Sequence, residues 1–173
     1  MEPTYPCGSR QTDRRVHDGA MAPTIATTTT VGLDELLEFV RSRHQMLLIT
    51  SRADGRPQAS PVTGGVDDDG RIVISSYPER AKSKNARSRP EVSVVVLSDS
   101  FHEAWVQVDG TCEVLDVPEA LDAFVEYFRN ISGEHSDWDK YRQAMVDQGK
   151  CLLRITPTRW SPIATGGFPA RLA

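Results

Sequence analysis

Leu33, Leu36, Leu37 and Val40 recur at the i, i+3, i+4, i+7 spacing of one apolar helical face, which predicts a helix ending near His44. The pattern then changes to short apolar runs separated by turn residues. Met46-Leu47-Leu48-Ile49-Thr50 reads as a buried strand, and Ala53-Asp54-Gly55-Arg56 as a hairpin turn with Asp-Gly supplying the positive backbone angles. Residues 57–66 form the return strand, Asp67-Asp68-Asp69-Gly70 a second turn, and 71–76 a third strand. Past Tyr77-Pro78, residues 79–88 form a short basic helix, stopped by Pro90.

The β-branched run 92–97 predicts a central strand, and 104–115 a fifth strand interrupted at Asp109-Gly110. Two amphipathic helices follow. Leu121, Phe124, Val125 and Phe128 share a face of the first, and Trp138, Tyr141, Met145 and Val146 a face of the second. Ser136-x-x-Asp139 reads as a capping box opening the second helix, and 151–156 as a last strand. Strands joined by tight turns pair antiparallel, and five or six in so short a chain close into a small barrel that leaves no exposed edge. The expected class is mainly β (α+β), an antiparallel barrel whose openings and sides are covered by helices.

Residues 1–30 lack apolar periodicity and end in Thr27-Thr28-Thr29-Thr30, the composition of a disordered tail, and 31–173 form one folded domain. Met21 is a second possible start. With 39% hydrophobic and 25% charged residues the composition is that of an ordinary soluble domain. The net charge of −4 supplies no field to gather nucleic acid or an anionic membrane. No run is long enough to span a bilayer, and Arg14-Arg15 is followed by no apolar segment, so a cytoplasmic protein is expected. Cys7, Cys112 and Cys151 are scattered, with no metal-ligand spacing.

Chemistry concentrates in 75–89. Ser75, Ser76 and Tyr77 close a strand, and Arg80, Lys82, Lys84, Arg87 and Arg89 follow on the short helix. Hydroxyls and cations beside a helix N-terminus make an anion site, with phosphate the obvious ligand, although a charge run alone also describes a solvated helix face. On the return strand Gln58 and Ser60 share one face, which could line a groove. The sequence contains no hydrolase nucleophile elbow, P-loop or dinucleotide fingerprint.

Gly55-Arg56-Pro57-Gln58, Arg80-Ala81-Lys82-x-x-Asn85, Asp109-Gly110-Thr111 and the long run from Arg129 to Val146 occur in that order. Together they resemble the pyridoxamine 5'-phosphate-oxidase-like proteins, in the branch that uses the deazaflavin coenzyme F420. The resemblance covers about 33–162 and implies a split β-barrel of the flavin-reductase type, a homodimer with coenzyme sites at the subunit interface. Carried over, it implies that Arg80 and Lys82 hold the coenzyme phosphate, helped by Ser75, Ser76, Tyr77 and Asn85. Gln58, Ser60 and Thr63 line the ring pocket, with Trp105 an aromatic neighbour. Lys84, Arg87 and Arg89 face the anionic tail. Pro61 and Thr63 stand where polar amides occur in that branch, which alters the ring contacts.

The resemblance implies hydride transfer from the reduced deazaflavin to a small unsaturated or quinone-like substrate, with the hard chemistry carried by the coenzyme. Two alternatives keep the fold: an FMN-dependent oxidase of the pyridoxamine-phosphate type, and a protein that binds or stores F420 without turnover. The basic helix lacks the interleaved aromatics of a nucleic-acid surface.

Overall fold

A computed structural model describes residues 30–164, so the tail of 1–30 lies almost entirely outside the described residues, as does Cys7. The elements in order are α1 (Leu33–Arg41), β1 (Gln45–Ser51), β2 (Pro57–Val66), β3 (Ile72–Ser76), α2 (Ala81–Ser88), β4 (Glu91–Leu97), β5 (Trp105–Asp116), α3 (Leu121–Ser132), α4 (Trp138–Asp147) and β6 (Cys151–Trp160). The six strands close into an antiparallel barrel in the order β1-β2-β3-β6-β5-β4. This is the closed antiparallel barrel that the alternation of runs and turns predicts, and the split-barrel class that the family resemblance implies.

Two differences from the sequence reading have clear causes. The Asp109-Gly110 interruption is a bulge and not a break: β5 stays continuous against β4, while its register against β6 shifts between those two residues. A Cβ on Gly110 would meet the Thr156 carbonyl oxygen at 2.5 Å, so the close approach of β6 requires glycine there. At α4 the cap is Asp137, not Ser136. The Asp137 carboxylate accepts the Lys140 N–H at 3.0 Å, and the Asp137 N–H donates to Nδ1 of His135 at 3.0 Å.

The core follows strand period. Met46 and Leu48 of β1, Val92, Val94 and Val96 of β4, and Val106 and Val108 of β5 point inward and are buried, while their neighbours remain partly open. On β3 and β6 both faces are covered. Ile72, Ile74, Leu153 and Ile155 join the interior, and Val73 and Leu152 pack outward on Phe124, Tyr127 and Tyr141 of α3 and α4. Helix α1 sets Leu36 and Val40 into the same interior. At the other end α2 inserts Ala86, and its Asn85 reaches the end of β1.

The ring is uneven. Strands β2 and β3 pair only at Gly64–Ile74, Gly65–Val73 and Val66–Ile72, so residues 57–63 of β2 pair with β1 alone and leave the other edge open. This is the split, and the mouth of the barrel lies between that edge, the end of β3 and α2. Among the described residues no helix is long and apolar enough to cross a membrane.

Candidate functional site

Helix α2 builds the site because its sequence separates the two roles along the helix. Ser83 and Ala86 are buried toward the barrel, whereas Lys84 and Arg87 are exposed. Lys82 lies between these extremes, and burial together with the adjacent Arg80 holds its ammonium below the usual lysine range. The N-cap is Arg80 in an extended conformation. No side chain caps this end, and no acidic residue sits in the first turn of α2. A partly desolvated cation beside an uncapped helix N-terminus is complementary to an anion. Glu79, which is exposed, is the one opposing charge next to it in sequence.

The two serines of the strand end part company. Ser76 faces inward and is 4% exposed, and its oxygen accepts the Ser83 hydroxyl at 2.9 Å, so the pair ties α2 to β3. The Cys151 thiol in turn donates to Ser83 at 3.7 Å, and burial raises the pKa of that thiol. Ser75, one position earlier, faces the side covered by α3. Tyr77 is held by residues that the sequence did not single out. The Lys150 ammonium lies 4.1 Å from its ring centroid, and its hydroxyl donates to Gln148 at 3.4 Å.

Gln58 and Ser60 do share a face, at the mouth, on the same side of the sheet as Thr50. Asn85 of α2 donates to the Thr50 hydroxyl at 3.0 Å, Thr50 donates to Gln58 Oε1 at 3.2 Å, and Gln58 Nε2 donates to Ser60 Oγ at 2.6 Å. A chain of hydrogen bonds therefore joins the cation-bearing helix to the strand residues expected at the ring. Thr50 was missed because a threonine ending an apolar run looks like an ordinary strand residue.

Thr63 and Trp105 are elsewhere within the chain. Five residues from Gln58 along β2, Thr63 sits about 16 Å away and on the opposite face, since strand side chains alternate. It borders a shallow groove with Gln45, Leu47, Pro61 and Leu97 on the outer wall of the barrel. Trp105 lines the adjoining hollow with Leu47, Val95, Leu97, Phe101 and His102. A single chain thus does not bring Thr63 and Trp105 to the face that carries Gln58 and Ser60. Arg87 is engaged with Asp116 at 2.5 Å, so it is not a free cation on α2.

A groove of about 610 Å³ also lies on the outer wall, at Ser93, Gln107, Asp109 and Arg159. Hydrogen bonds from Ser93, Arg159 and Gln107 hold the Asp109 carboxyl below the usual range. No residue expected at the site lines it, and Ser93, Gln107 and Arg159 all donate to the Asp109 carboxylate. By contrast, the start of α2 carries Arg80, Lys82 and Lys84.

Residues 33–164 match the family model for pyridoxamine 5'-phosphate oxidase. This chain belongs to the pyridoxamine 5'-phosphate oxidase family. Solved structures agree at the level of fold. A conserved hypothetical protein from Mycobacterium tuberculosis superposes with a TM-score of 0.65 at 25% identity, over 78% of this chain and 86% of its own. A protein named F420 reductase gives a TM-score of 0.54 at 21% identity, over 72% of this chain and 94% of its own. A heme-binding protein from Mycobacterium smegmatis gives 0.58 at 18% identity, over 82% of this chain and 57% of its own. The pyridoxamine 5'-phosphate oxidase fold is thus one on which proteins of different named ligands occur, and the distinction between them rests on side chains.

Proposed function

We propose that this chain is an F420-dependent oxidoreductase, passing a hydride from the reduced deazaflavin to a small unsaturated or quinone-like substrate. The observation that carries the reading is Lys82, a cation partly withdrawn from water beside the uncapped N-terminus of α2. An ammonium in that setting is stabilised by an anion, and a phosphate of the coenzyme supplies one. Arg80 and Lys82 hold the phosphate, Asn85 supports it, and Gln58 and Ser60 meet the ring from β2. When bound, the coenzyme supplies the hydride chemistry. The protein's own residues bind it, orient it and shape the space for substrate.

The outer wall bears on the same reading. Leu47, Pro61, Val95, Leu97 and Trp105 form a continuous, partly open apolar surface, and Phe101 on it is 83% exposed. An apolar area of this kind is suited to a second copy of the chain. Pairing would set Thr63 and Trp105 of one subunit at the interface and let them contribute to a coenzyme site there.

The ion pair of Arg87 with Asp116 favours one competing reading, FMN, because it leaves fewer cations for a multiply charged tail. Fluorescence titration of the wild type and of Lys82→Ala with F420 and with FMN separates the two. Tight F420 binding that weakens at least about tenfold in the variant supports the proposal. Preference for FMN moves the assignment to the oxidase, and saturable F420 binding without turnover on any acceptor moves it to a carrier.

A further inference from the structure

The hydrogen-bond chain at the mouth has a direction, and one contact reveals it. Gln58 Nε2 lies 2.9 Å from the carbonyl oxygen of Ala59, a group that only accepts. The nitrogen of the amide must therefore face Ala59 and Ser60, and its oxygen must face Thr50. Gln58 Oε1 can only accept, so Thr50 spends its single proton on it at 3.2 Å. The Thr50 oxygen is then left to receive the Asn85 amide at 3.0 Å. At the far end both protons of Gln58 Nε2 are committed, one to Ala59 and one to Ser60 Oγ at 2.6 Å. Ser60 accepts from Gln58 and keeps its own proton for a partner outside the chain.

We infer that Thr50 is a positioning residue: it relays the orientation of Asn85 on α2 to Gln58 and thereby fixes the Ser60 hydroxyl as a hydrogen-bond donor toward the coenzyme ring. The Ser60 proton then meets an acceptor on the ligand, a ring carbonyl. Thr50 is 1% exposed, so water does not substitute for either of its bonds. The inference rests on the coenzyme reading above, and it adds to that reading a coupling between the phosphate end and the ring end of one ligand.

Two measurements on the full-length protein test it. The first needs no coenzyme: the side-chain amide resonances of Gln58 in 15N-labelled protein, compared among wild type, Thr50→Ser and Thr50→Val. Valine removes the hydroxyl at nearly constant shape, while serine retains it. Both Gln58 amide protons should shift in Thr50→Val and return toward wild type in Thr50→Ser. Unmoved resonances in Thr50→Val would overturn the relay.

The second uses riboflavin and the phosphate-free deazaflavin alongside FMN and F420. Asn85→Ala should weaken the phosphate-free ligands as well, by about three- to tenfold, because it acts on the ring through Thr50. In a Thr50→Val background the same change should have no further effect on them. Loss confined to the phosphate-bearing ligands would show Asn85 acting on phosphate alone and would refute the coupling. If the wild type takes none of the four ligands, the coenzyme reading fails and the Ser60 assignment fails with it, while the amide shifts still decide the relay itself.

Discussion

The hydroxyl of Tyr127 on α3 donates to the backbone carbonyl of Thr63 on β2 at 3.0 Å, immediately before that strand takes up its short pairing with β3. Asn130, one turn on, donates to the carbonyl of Val66 at 2.7 Å. The two side chains bracket Gly64 and Gly65, and a Cβ on Gly65 would press on Asn130 and Ile131 at 3.3 Å. Helix α3 therefore fastens the weakest joint of the barrel from outside.

Tyr127→Phe removes that bond while keeping the buried ring. It is expected to lower unfolding free energy by about 1 kcal/mol. Hydrogen exchange should quicken at residues 64–66 more than in β4 or β5, and denaturant titration with mass-resolved exchange checks both.

Gly110→Ala drives a methyl into the Thr156 carbonyl, which belongs to backbone and cannot rotate away. A loss of about 1–3 kcal/mol is expected, read as a lower midpoint in thermal or chemical denaturation. Coenzyme affinity of the folded fraction should stay near wild type, because no residue assigned to the coenzyme lines the groove at the bulge.

The lowered pKa of Lys82 makes a signed prediction. In the free protein the charged ammonium is disfavoured by burial and by Arg80, so this group's contribution to stability improves as pH rises through its folded pKa toward the ordinary 10.5. An anion in the site favours the ammonium, so binding takes up a proton in that window. Coenzyme affinity should fall as pH rises there, and Lys82→Arg should move the fall to higher pH. Titrations across alkaline pH check this; a flat profile for the lysine protein would remove Lys82 from the site.

Glu126 on α3 accepts the backbone N–H of Asp68 at the β2–β3 turn, and burial, followed by Asp67 and Asp68, pushes its carboxyl above the ordinary 4.5. The ionised form is thus the disfavoured one in the fold, and its cost disappears as pH drops through the folded pKa to 4.5. Glu126→Gln keeps an oxygen for Asp68. It should raise the midpoint of melting slightly at neutral pH and remove this group's part of the pH dependence between its folded pKa and 4.5.

Leu47→Glu places a charge in the middle of the apolar outer wall without entering the core, since Leu47 points away from Leu48 and Val94. If a second copy covers this wall, sedimentation should show a wild-type dimer and a folded monomer in the variant. Coenzyme affinity should drop with it. A wild type that sediments as a monomer would refute the pairing.

The strand and helix order was legible in the sequence because apolar runs and turn residues act locally. Gln58 and Ser60 could be put on one face by counting in twos. The same count puts Thr63 on the other, and the family resemblance that grouped all three carries no such geometry. The cap of α4 slipped by one because Ser136 and Asp137 are both good caps, and His135 favours Asp137 by receiving its N–H. Thr50, Lys150 and Ser83 were not legible. Each gains its role from a partner 35, 73 or 7 positions away, and nothing in their immediate neighbours marks them.

The three-rung joint between β2 and β3 also decides what shape the molecule takes when it first comes apart. Losing Gly64–Ile74 and its two neighbours unrolls the tube into a curled sheet, with β2 and β3 as its two outer strands and every other ladder intact. Such a sheet presents raw backbone at both margins, the form in which chains stick to one another. By holding the Thr63 and Val66 carbonyls, Tyr127 and Asn130 keep part of one margin occupied, so the residues that close the barrel also guard against self-association.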